Sequence, residues 1–312
     1  MWHYCPKAQK RTKRYKVMII VRLMGGLGNQ MFQYATARSL CSFGNKLRVD
    51  LDFFRQNNES TDIFTAREYE LDIFSAINIQ IVRKSTLNMF LKETFFCKLW
   101  RKICYPHRRI VRQTDCGLPV IPANTRNVYL DGFFQSERFF GNIRDVILSD
   151  FTFPELDERN RIILNRIKNS ENSVSIHIRR GDYTRKAIAD FHGILPTEYY
   201  EAAIQHLSGR ISGQLNFFIF TDDPEWVKCH LPIDNSYIVE GNTDKNSWKD
   251  MALMTHCKHH IIANSSFSWW GAWLNPSCDK IVIAPDRWFK AMPAEIIRDL
   301  IPEKWTVLPV VE

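Results

Sequence analysis

The chain has 312 residues, of which 45% are hydrophobic and 24% are charged, and its formal net charge is +8. This is an ordinary globular composition, long enough for about two domains. No apolar run approaches the ~20 residues needed to cross a bilayer, so a membrane-spanning protein is not predicted. The positive charge leaves three kinds of partner to weigh: nucleic acid, a membrane surface or a phosphorylated small molecule.

The first sixteen residues are basic, and the apolar stretch after them, residues 17–21, is too short for the core of a signal peptide. We therefore expect a cytoplasmic protein. The basic stretch is interpreted either as a disordered extension or as a weak electrostatic contact with the inner face of an anionic membrane. Because the ordered pattern begins at Met18, that residue is an alternative start.

Eight cysteines are scattered along the chain without a C-x-x-C pair, which is typical of free thiols in a reducing compartment. Cys257, His259 and His260 lie close in sequence, but a second pair of ligands at zinc-like spacing is missing. We therefore expect no metal site there. No nucleic-acid-binding module is recognisable, so nucleic acid is not expected as a partner.

In chain order, residues 16–23 are predicted to form a buried strand, 25–30 a tight loop, 31–43 a helix and 47–53 a second strand. Together they predict one strand–helix–strand unit. Residues 61–127 contain only short apolar clusters and basic groups, and they predict no function. A strand and two helices are predicted next, at residues 127–133, 136–148 and 156–167.

The second half of the chain is more regular. Strands are predicted at residues 174–178, 216–221, 237–239, 260–264 and 280–285, with helices at 196–207, 224–230, 247–257 and 267–274. This alternation predicts a parallel, doubly wound sheet. With a boundary at the polar stretch 169–172, we expect an α/β protein with two Rossmann-like domains, residues 17–170 and 171–312, facing a central cleft.

Polar side chains gather at the carboxyl ends of three predicted strands of the second half. In doubly wound sheets, ligands bind beyond these ends. The three tips carry Arg179, Arg180 and Asp182; then Thr221, Asp222 and Asp223; then Asn264, Ser265 and Ser266. This agreement predicts a binding site in the cleft.

Arg179 is the central candidate among them. Because side chains alternate along a strand, His177 and Arg179 share one face and Arg180 points to the other or leaves the strand. A guanidinium facing a cleft suits bidentate binding of phosphate oxygens. The alternative is an arginine that pairs with Asp182 only to hold the loop, and we expect this of one of the two arginines.

Two further features have open interpretations. Gly26 and Gly28 match the first two glycines of the dinucleotide-binding pattern, but Met31 occupies the position of the third. The loop is therefore either an anion site at a helix N-terminus or a simple tight turn. Asp250, within a predicted helix, is either a carboxylate that accepts two N–H bonds from guanine or a surface residue.

Four ordered motifs, G-G-L-G-N-Q-M-F-Q-Y-A, H-I-R-R-G-D-Y, F-T-D-D and N-S-S-F-S-W-W-G-A-W-L-N, resemble those of the bacterial α-1,2-fucosyltransferases of glycosyltransferase family 11. The resemblance covers residues 18–285. It implies a GT-B fold, GDP-β-L-fucose as donor substrate, no metal and no cofactor. It also implies an inverting reaction that forms an α-1,2 linkage to a galactose-terminated oligosaccharide, in the synthesis of a surface glycan such as O-antigen.

The resemblance also implies roles for individual residues. The H-x-R-R-x-D motif is carried by His177, Arg179, Arg180 and Asp182, and Arg179 neutralises the departing β-phosphate. Asp250 binds guanine. The remaining donor-binding candidates are Gly26, Gly28, Asn29, Gln30, Thr221, Asp222, Asn264, Ser265 and Ser266, of which Asn29 and Gln30 contact either donor phosphate or acceptor.

The base that takes the acceptor's proton is sought in the polar stretch A-D-F-H-G, where Asp190 and His192 are the candidates. Either residue alternatively caps or braces a loop, and a loosely dissociative transfer needs little base. Three other functions stay open: another GDP-sugar transferase such as a protein O-fucosyltransferase, a nicotinamide-dependent oxidoreductase, and a carbohydrate-binding protein without activity.

Overall fold

The computed structural model describes residues 18–41, 46–62, 64–105, 107–113, 119–121, 127–290 and 297–310. The basic N-terminal stretch, for which a membrane contact or a disordered extension was expected, lies outside these residues. Within the described ranges, no helix has the length and the apolar content that a bilayer crossing requires.

The described part of the chain contains eleven strands and twelve α-helices. The strands are β1 (Met18–Arg22), β2 (Lys46–Asp50), β3 (Gln80–Ile81), β4 (Arg109–Arg112), β5 (Val128–Asp131), β6 (Asn172–Ile178), β7 (Leu215–Thr221), β8 (Ser236–Val239), β9 (His259–Ile261), β10 (Val282–Pro285) and β11 (Thr306–Leu308). The α-helices are α1 (Leu27–Ser39), α2 (Asp52–Gln56), α3 (Lys84–Leu91), α4 (Phe95–Cys104), α5 (Arg144–Asp150), α6 (Glu158–Asn169), α7 (Lys186–His192), α8 (Thr197–Ser208), α9 (Pro224–His230), α10 (Trp248–Met254), α11 (Ser266–Trp273) and α12 (Ile297–Leu300). Short 3-10 helices cover Leu71–Ile73, Glu137–Phe139, Gly141–Ile143, Asp182–Thr184 and Asp244–Asn246.

The first sheet is parallel, with strand order β3-β2-β1-β5-β4. Its central strand β1 is buried on both faces, since Ile19, Ile20 and Val21 have no exposed surface. A continuous apolar run is what a central parallel strand requires, because covering elements pack on both sides of it. The segment 61–127, which predicted no function, contributes β3, α3, α4 and β4 to this half.

The second sheet is also parallel, with strand order β11-β10-β9-β6-β7-β8. Strands β6 and β7 pair from Asn172 opposite Leu215 to Ile178 opposite Thr221. This register brings Arg179 and Asp222, the residues that follow the two strands, to the same edge of the sheet. Two parallel α/β sheets on either side of a cleft confirm the predicted GT-B-like fold class.

Most predicted elements are present with shifted ends. Helix α1 begins at Leu27, four residues earlier than predicted, because the helix starts inside the glycine loop. The helix predicted at residues 136–148 is replaced by two 3-10 turns and α5, because the backbone of Phe140 is not helical (φ −142°, ψ 0°). Strand β11 was not predicted.

The domain boundary near residue 170 stays a prediction. Helix α6 precedes that boundary in the chain. Its residues Ile163 and Ile167 nevertheless pack with Phe218 and Phe220 of β7 in the second sheet. A boundary placed at the polar stretch therefore assigns α6 to the first domain, although α6 packs against the second sheet.

Helix α11 joins the two halves through aromatic side chains. Trp269 and Trp270 have no exposed surface, and their ring centroids lie 4.5 and 4.9 Å from that of Phe32 on α1. The indole Nε1 of Trp270 also donates a hydrogen bond to the carbonyl of Gly28 at 2.9 Å. These contacts pack α11 of the second half against α1 of the first half.

Gly28 allows this close approach of α1 and α11. A Cβ atom added to Gly28 would lie 2.6 Å from the backbone carbonyl carbon of Ser266, closer than real Cβ contacts come. Because a backbone atom cannot rotate away, a side chain at residue 28 would push the two helices apart. The glycine that was selected for donor binding is thus required for the packing of the two halves.

We expect Gly28→Ala to lower the free energy of unfolding by about 1–3 kcal/mol, because the new methyl group overpacks the contact between α1 and α11. Gly141→Ala is the matched control, since no atom lies within 4 Å of the added methyl group. Urea unfolding measures both variants. A Gly28→Ala protein as stable as the Gly141→Ala protein would contradict this description of the contact.

Candidate active site

A cavity of about 1310 Å³ lies between the two sheets and is lined by both halves. The first half contributes the glycine loop and the segment around residues 64–73, and the second contributes the tips of β6 and β7 and the start of α11. Of the residues selected from sequence, those that line the cavity are Gly26, Gly28, Asn29, His177, Arg179, Asp182, His192, Thr221, Asp222, Asp250, Ser265 and Ser266.

The Arg179 guanidinium is held by two carboxylates at the tip of β6. Its Nη2 lies 2.5 Å from Asp182 Oδ1, and its Nη1 lies 2.7 Å from Asp222 Oδ2. Burial opposes the charge, but Asp222 and Asp182 outweigh burial and raise the pKa of Arg179 above its usual value. A guanidinium has five N–H donors, so these two contacts orient it and leave donors for a ligand.

Arg67 is a second cation at the cavity, and sequence reasoning missed it. Its Nη2 lies 2.8 Å from Asp182 Oδ2, and the Thr65 hydroxyl donates to the same oxygen at 3.0 Å. Burial would raise the pKa of Asp182, but Arg179 and Arg67 together hold it below its usual value. Arg67 belongs to a segment without a recognisable motif, so no signal separated it from the other basic residues there.

Glu70 occupies the helix N-terminus that was interpreted as an anion site. Its carboxylate lies near Gly26 and the N–H of Leu27, the first residue of α1. Burial raises the pKa of Glu70, and the charge of Arg67 and the Leu27 N–H partly offset this. The glycine loop therefore faces a carboxylate of its own chain, and Gly26 lies in the wall of the cavity beside it.

Asn29 and Gln30 follow each other in the loop but face different surroundings. Asn29 lines the cavity, and its Oδ1 accepts a hydrogen bond from Gln135 at 2.7 Å. Gln30 is fully buried: its amide donates to the carbonyls of Gly25 and Glu68, and its oxygen accepts the N–H of Glu70. The structure thus gives Gln30 the role of fixing the loop, in place of the expected ligand contact.

His177 and His192 both line the cavity as neutral imidazoles. Burial, together with the nearby Arg179 charge, lowers the pKa of His177 to about 3. Burial also lowers the pKa of His192 to about 4, although the charge of Asp182 opposes the shift. In the described part of the chain, Nδ1 of each ring is buried without a hydrogen-bond partner. Both rings can therefore hydrogen-bond a ligand, but neither readily takes up a proton near neutral pH.

Asp190 and Arg180 point away from the cavity. Asp190 is exposed on α7 and pairs with Lys186 one helical turn earlier, with Nζ and Oδ2 2.9 Å apart. The guanidinium of Arg180 lies 3.8 Å from the ring centroid of Trp226, and its Nε lies 3.2 Å from Asp223 Oδ2. The exposed position of Asp190 does not support its expected role as the base. The position of Arg180 does not support the expected contact with the donor substrate, because strand alternation turns its side chain outward.

Asn264 is also absent from the cavity wall. Its amide is buried and donates to the carbonyls of His192 at 3.0 Å and Gly193 at 3.2 Å. These bonds hold the end of α7, and with it the His192 ring, against the tip of the second sheet. Asn264 thus positions a cavity residue and does not itself face the cavity.

The start of α11 and the tip of β7 present polar groups to the cavity. The Ser265 hydroxyl caps α11 by accepting the N–H of Phe267 at 3.3 Å, and Ser266 begins the helix. The Thr221 hydroxyl accepts the N–H of Asp223 at 3.0 Å. A helix N-terminus beside hydroxyl groups favours bound anions. This surface suits phosphate oxygens that lie next to Arg179.

Asp250 lies deeper in the second half of the cavity. Its Oδ1 accepts a hydrogen bond from Asn242 Nδ2 at 2.7 Å. Burial raises the pKa of Asp250 to about 7, and this hydrogen bond and the charge of Arg159 only partly offset the shift. Asp250 is therefore a partly buried carboxyl group of the cavity wall, and its free oxygen can accept N–H donors from a ligand.

In the residues that the structure describes, no three His, Cys, Asp or Glu side chains come together as metal ligands do. His260 belongs to the short Cys and His cluster that was considered as half of a zinc site. Its two ring nitrogens form hydrogen bonds with Ser175 and Asn275, each at 2.8 Å. Both of its nitrogens are thus used in the core of the second half.

Comparison with known proteins gives matches over almost all of the chain. The chain is 36% identical to the O-antigen biosynthesis glycosyltransferase WbnK of Escherichia coli, over 86% of this chain and 93% of that protein. It is 35% identical to an alpha-1,2-colitosyltransferase of Escherichia coli, over 92% and 98% of the two chains. A galactoside alpha-(1,2)-fucosyltransferase 1 of Leontopithecus chrysomelas is 25% identical over 80% of this chain and 63% of that protein.

A family model described as Glycosyl transferase family 11 matches residues 1–307. The match includes the glycine loop, the Arg179 motif and the start of α11, which meet at one cavity. The resemblance inferred from the four motifs is therefore confirmed. The chain belongs to glycosyl transferase family 11 and is a glycosyltransferase.

Proposed function

We propose that this glycosyltransferase moves L-fucose from GDP-β-L-fucose to the 2-hydroxyl of a galactoside, with inversion and without a metal ion, in cytoplasmic synthesis of a surface glycan. The observation that carries the proposal is the Arg179 guanidinium, fixed by Asp182 and Asp222 in the wall of the interdomain cavity. The O-antigen and α-1,2-fucosyl relatives support the acceptor class and the linkage.

The leaving group is the first task of the site. When the bond between fucose C1 and the β-phosphate oxygen breaks, its electron pair and a full negative charge pass to GDP. Arg179 lies where its remaining N–H groups can meet that charge, and the start of α11 with Ser266 adds backbone donors. Groups held in place before the reaction stabilise such a charge most effectively, by a few kcal/mol each.

Recognition of guanine is assigned to Asp250. An ionised carboxylate can accept hydrogen bonds from N1–H and the 2-amino group of guanine together. Adenine and the pyrimidines do not present these two adjacent donors. The Asn242 bond orients the carboxylate toward the cavity that it lines. We assign the nucleotide to the second half for this reason.

Glu70 is our proposed base for the acceptor hydroxyl. It lies in the cavity wall of the first half, and its raised pKa favours proton uptake. The low pKa values of His177 and His192 make these rings weak bases, and Asp190 faces solvent. In the proposed step the acceptor oxygen bonds to C1 on the face opposite GDP, and its proton passes to Glu70.

A second candidate is α-1,2-colitosyl transfer, which is favoured by the 35% identity to a colitosyltransferase. Colitose is L-fucose without the 3-hydroxyl group. A site that hydrogen-bonds this hydroxyl would reject the colitosyl donor by about 10⁴-fold or more, whereas an apolar wall discriminates weakly. The ratio of kcat/KM for the two GDP-sugars distinguishes the candidates.

We expect the protein to join fucose from GDP-fucose to position 2 of galactosides, with or without EDTA, and Arg179→Ala to lower kcat by about 10²–10³-fold or more. Arg180→Ala is the matched control from the same motif, because its guanidinium stacks on Trp226 outside the cavity. Linkage analysis identifies the product. Normal turnover of Arg179→Ala, or inhibition by the chelator, would refute the proposed charge stabilisation.

We expect GDP affinity to fall as the pH is lowered through about 7, because guanine binding requires the ionised form of Asp250 and burial raises its pKa to about 7. Asp250→Asn should bind GDP about 10-fold more weakly at pH 8 and lose this part of the pH dependence. Calorimetric titrations over pH measure both proteins. GDP itself titrates in the same way with both proteins, so a difference between their pH profiles arises from Asp250. Equal pH profiles would rule out the contact between Asp250 and guanine.

We expect Glu70→Gln to lower kcat by about 10²–10⁴-fold while GDP affinity stays unchanged, because the amide has nearly the same size as the carboxylate but cannot take a proton. Asp190→Ala is the control and should keep kcat within about twofold of the parent, since surface changes are usually small. Steady-state kinetics and GDP binding are measured on both. A Glu70→Gln enzyme with normal kcat would exclude Glu70 as the base.

A further inference from the structure

Helix α4 presents its apolar face to solvent. Five apolar side chains along one side of this ten-residue helix are exposed by half or more of their surface. They are Phe95 (76%), Phe96 (73%), Leu99 (50%), Trp100 (52%) and Ile103 (70%). Positions three and four residues apart share one helix face, so these side chains form one continuous apolar stripe. We call this set the α4 stripe.

The opposite side of α4 carries a buried arginine. Arg101 is only 6% exposed, and its Nη1 donates to the carbonyl of Phe90 and to Glu93, each at 3.0 Å. Its Nη2 donates to the carbonyl of Lys92 at 3.0 Å. A surface helix usually turns apolar residues inward and charges outward. Here the contacts of Arg101 fix the reverse orientation, so the exposure of the α4 stripe is built into the fold.

The segment that contains α4 is strongly basic. Residues 83–112 contain nine lysines and arginines and one glutamate, a formal charge of +8 that equals the net charge of the whole chain. Lys98 and Lys102 lie on α4 itself and border the stripe. The single acidic residue, Glu93, is bound by Arg101, Arg108 and Lys98. The α4 stripe therefore belongs to a strongly basic segment of the chain.

We propose that α4 docks on the surface of an anionic lipid bilayer, with the α4 stripe inserted at the level of the headgroups. An apolar patch with phenylalanine, leucine and tryptophan next to lysines is the composition of helices that lie in the membrane interface. Tryptophan favours that interface, and lysines and arginines add attraction to anionic lipids. A protein partner would have to supply both an apolar groove and an acidic rim.

Strand β4 connects α4 to the wall of the active-site cavity. Strand β4 follows α4 in the chain and ends at Arg112, and the next residue, Gln113, lines the cavity. The docked surface would thus belong to the half that contributes Arg67 and Glu70. This inference does not depend on which sugar is transferred, because it rests on α4 alone.

We expect the full-length protein to float with vesicles of phosphatidylglycerol and phosphatidylethanolamine, and to bind vesicles of phosphatidylcholine much more weakly. Leu99→Ser/Trp100→Ser/Ile103→Ser should weaken binding to the anionic vesicles by about tenfold or more, because it removes inserted apolar area. Lys98→Glu/Lys102→Glu should weaken it by a similar factor and only at low salt, because surface charge is screened. Ile162→Ser, on the equally exposed Ile162 of α6, is the matched control.

Further measurements separate membrane docking by α4 from unfolding, from membrane binding by the N-terminal stretch and from self-association. Thermal unfolding of all variants should be unchanged, since the substituted side chains are exposed. Vesicle binding that survives the α4 substitutions but is lost when the six lysines and arginines of residues 1–16 are neutralised would overturn the proposal in favour of the N-terminal stretch. A dimer that the triple variant converts to monomers, with no vesicle binding by the parent, would overturn it in favour of self-association.

Discussion

The contact between α1 and α11 determines the shape of the whole site. Both helices begin at the carboxyl ends of their sheets, and Gly28 lets the backbone of Ser266 approach without a side chain between them. The bond from Trp270 to the Gly28 carbonyl and the buried aromatic cluster then hold the helices together. Because close-packed interfaces tolerate little added volume, the two cavity walls keep a defined separation. The cross-cavity pairing of Arg67 with Asp182 depends on that separation.

Charge in the cavity is balanced before any substrate arrives. Arg179 and Arg67 share Asp182, and Asp222 holds the second side of Arg179. Carboxylates that pair with both arginines hold the guanidinium groups in a fixed orientation in a partly buried site. Orientation in advance reduces the reorganisation needed when negative charge develops, which is the main source of electrostatic stabilisation in enzymes. For Glu70 and Asp250, burial outweighs the nearby positive charge, and their pKa values are raised instead.

The segment 61–127 shows how much of this protein lies outside recognisable motifs. It contributes the second cavity arginine, the proposed base and the helix with the exposed apolar stripe. Arg101 and Arg67 are both arginines of this segment, yet one fixes a helix orientation and the other faces the cavity. Residue type alone does not distinguish these roles, because each depends on which acceptor atoms the fold places nearby.

The sequence by itself determined the family, through the resemblance of four ordered motifs. Apolar periodicity determined the parallel α/β class and the strand-tip location of Arg179, because it is a local and repeated property. It also showed that His177 and Arg179 share a face. Only the tertiary structure decided which polar residues line the cavity: Arg180, Asp190, Gln30 and Asn264 do not, and Arg67 and Glu70 do. Side-chain direction at a loop and the partner across a cleft are set by contacts between distant segments, and no local pattern encodes them.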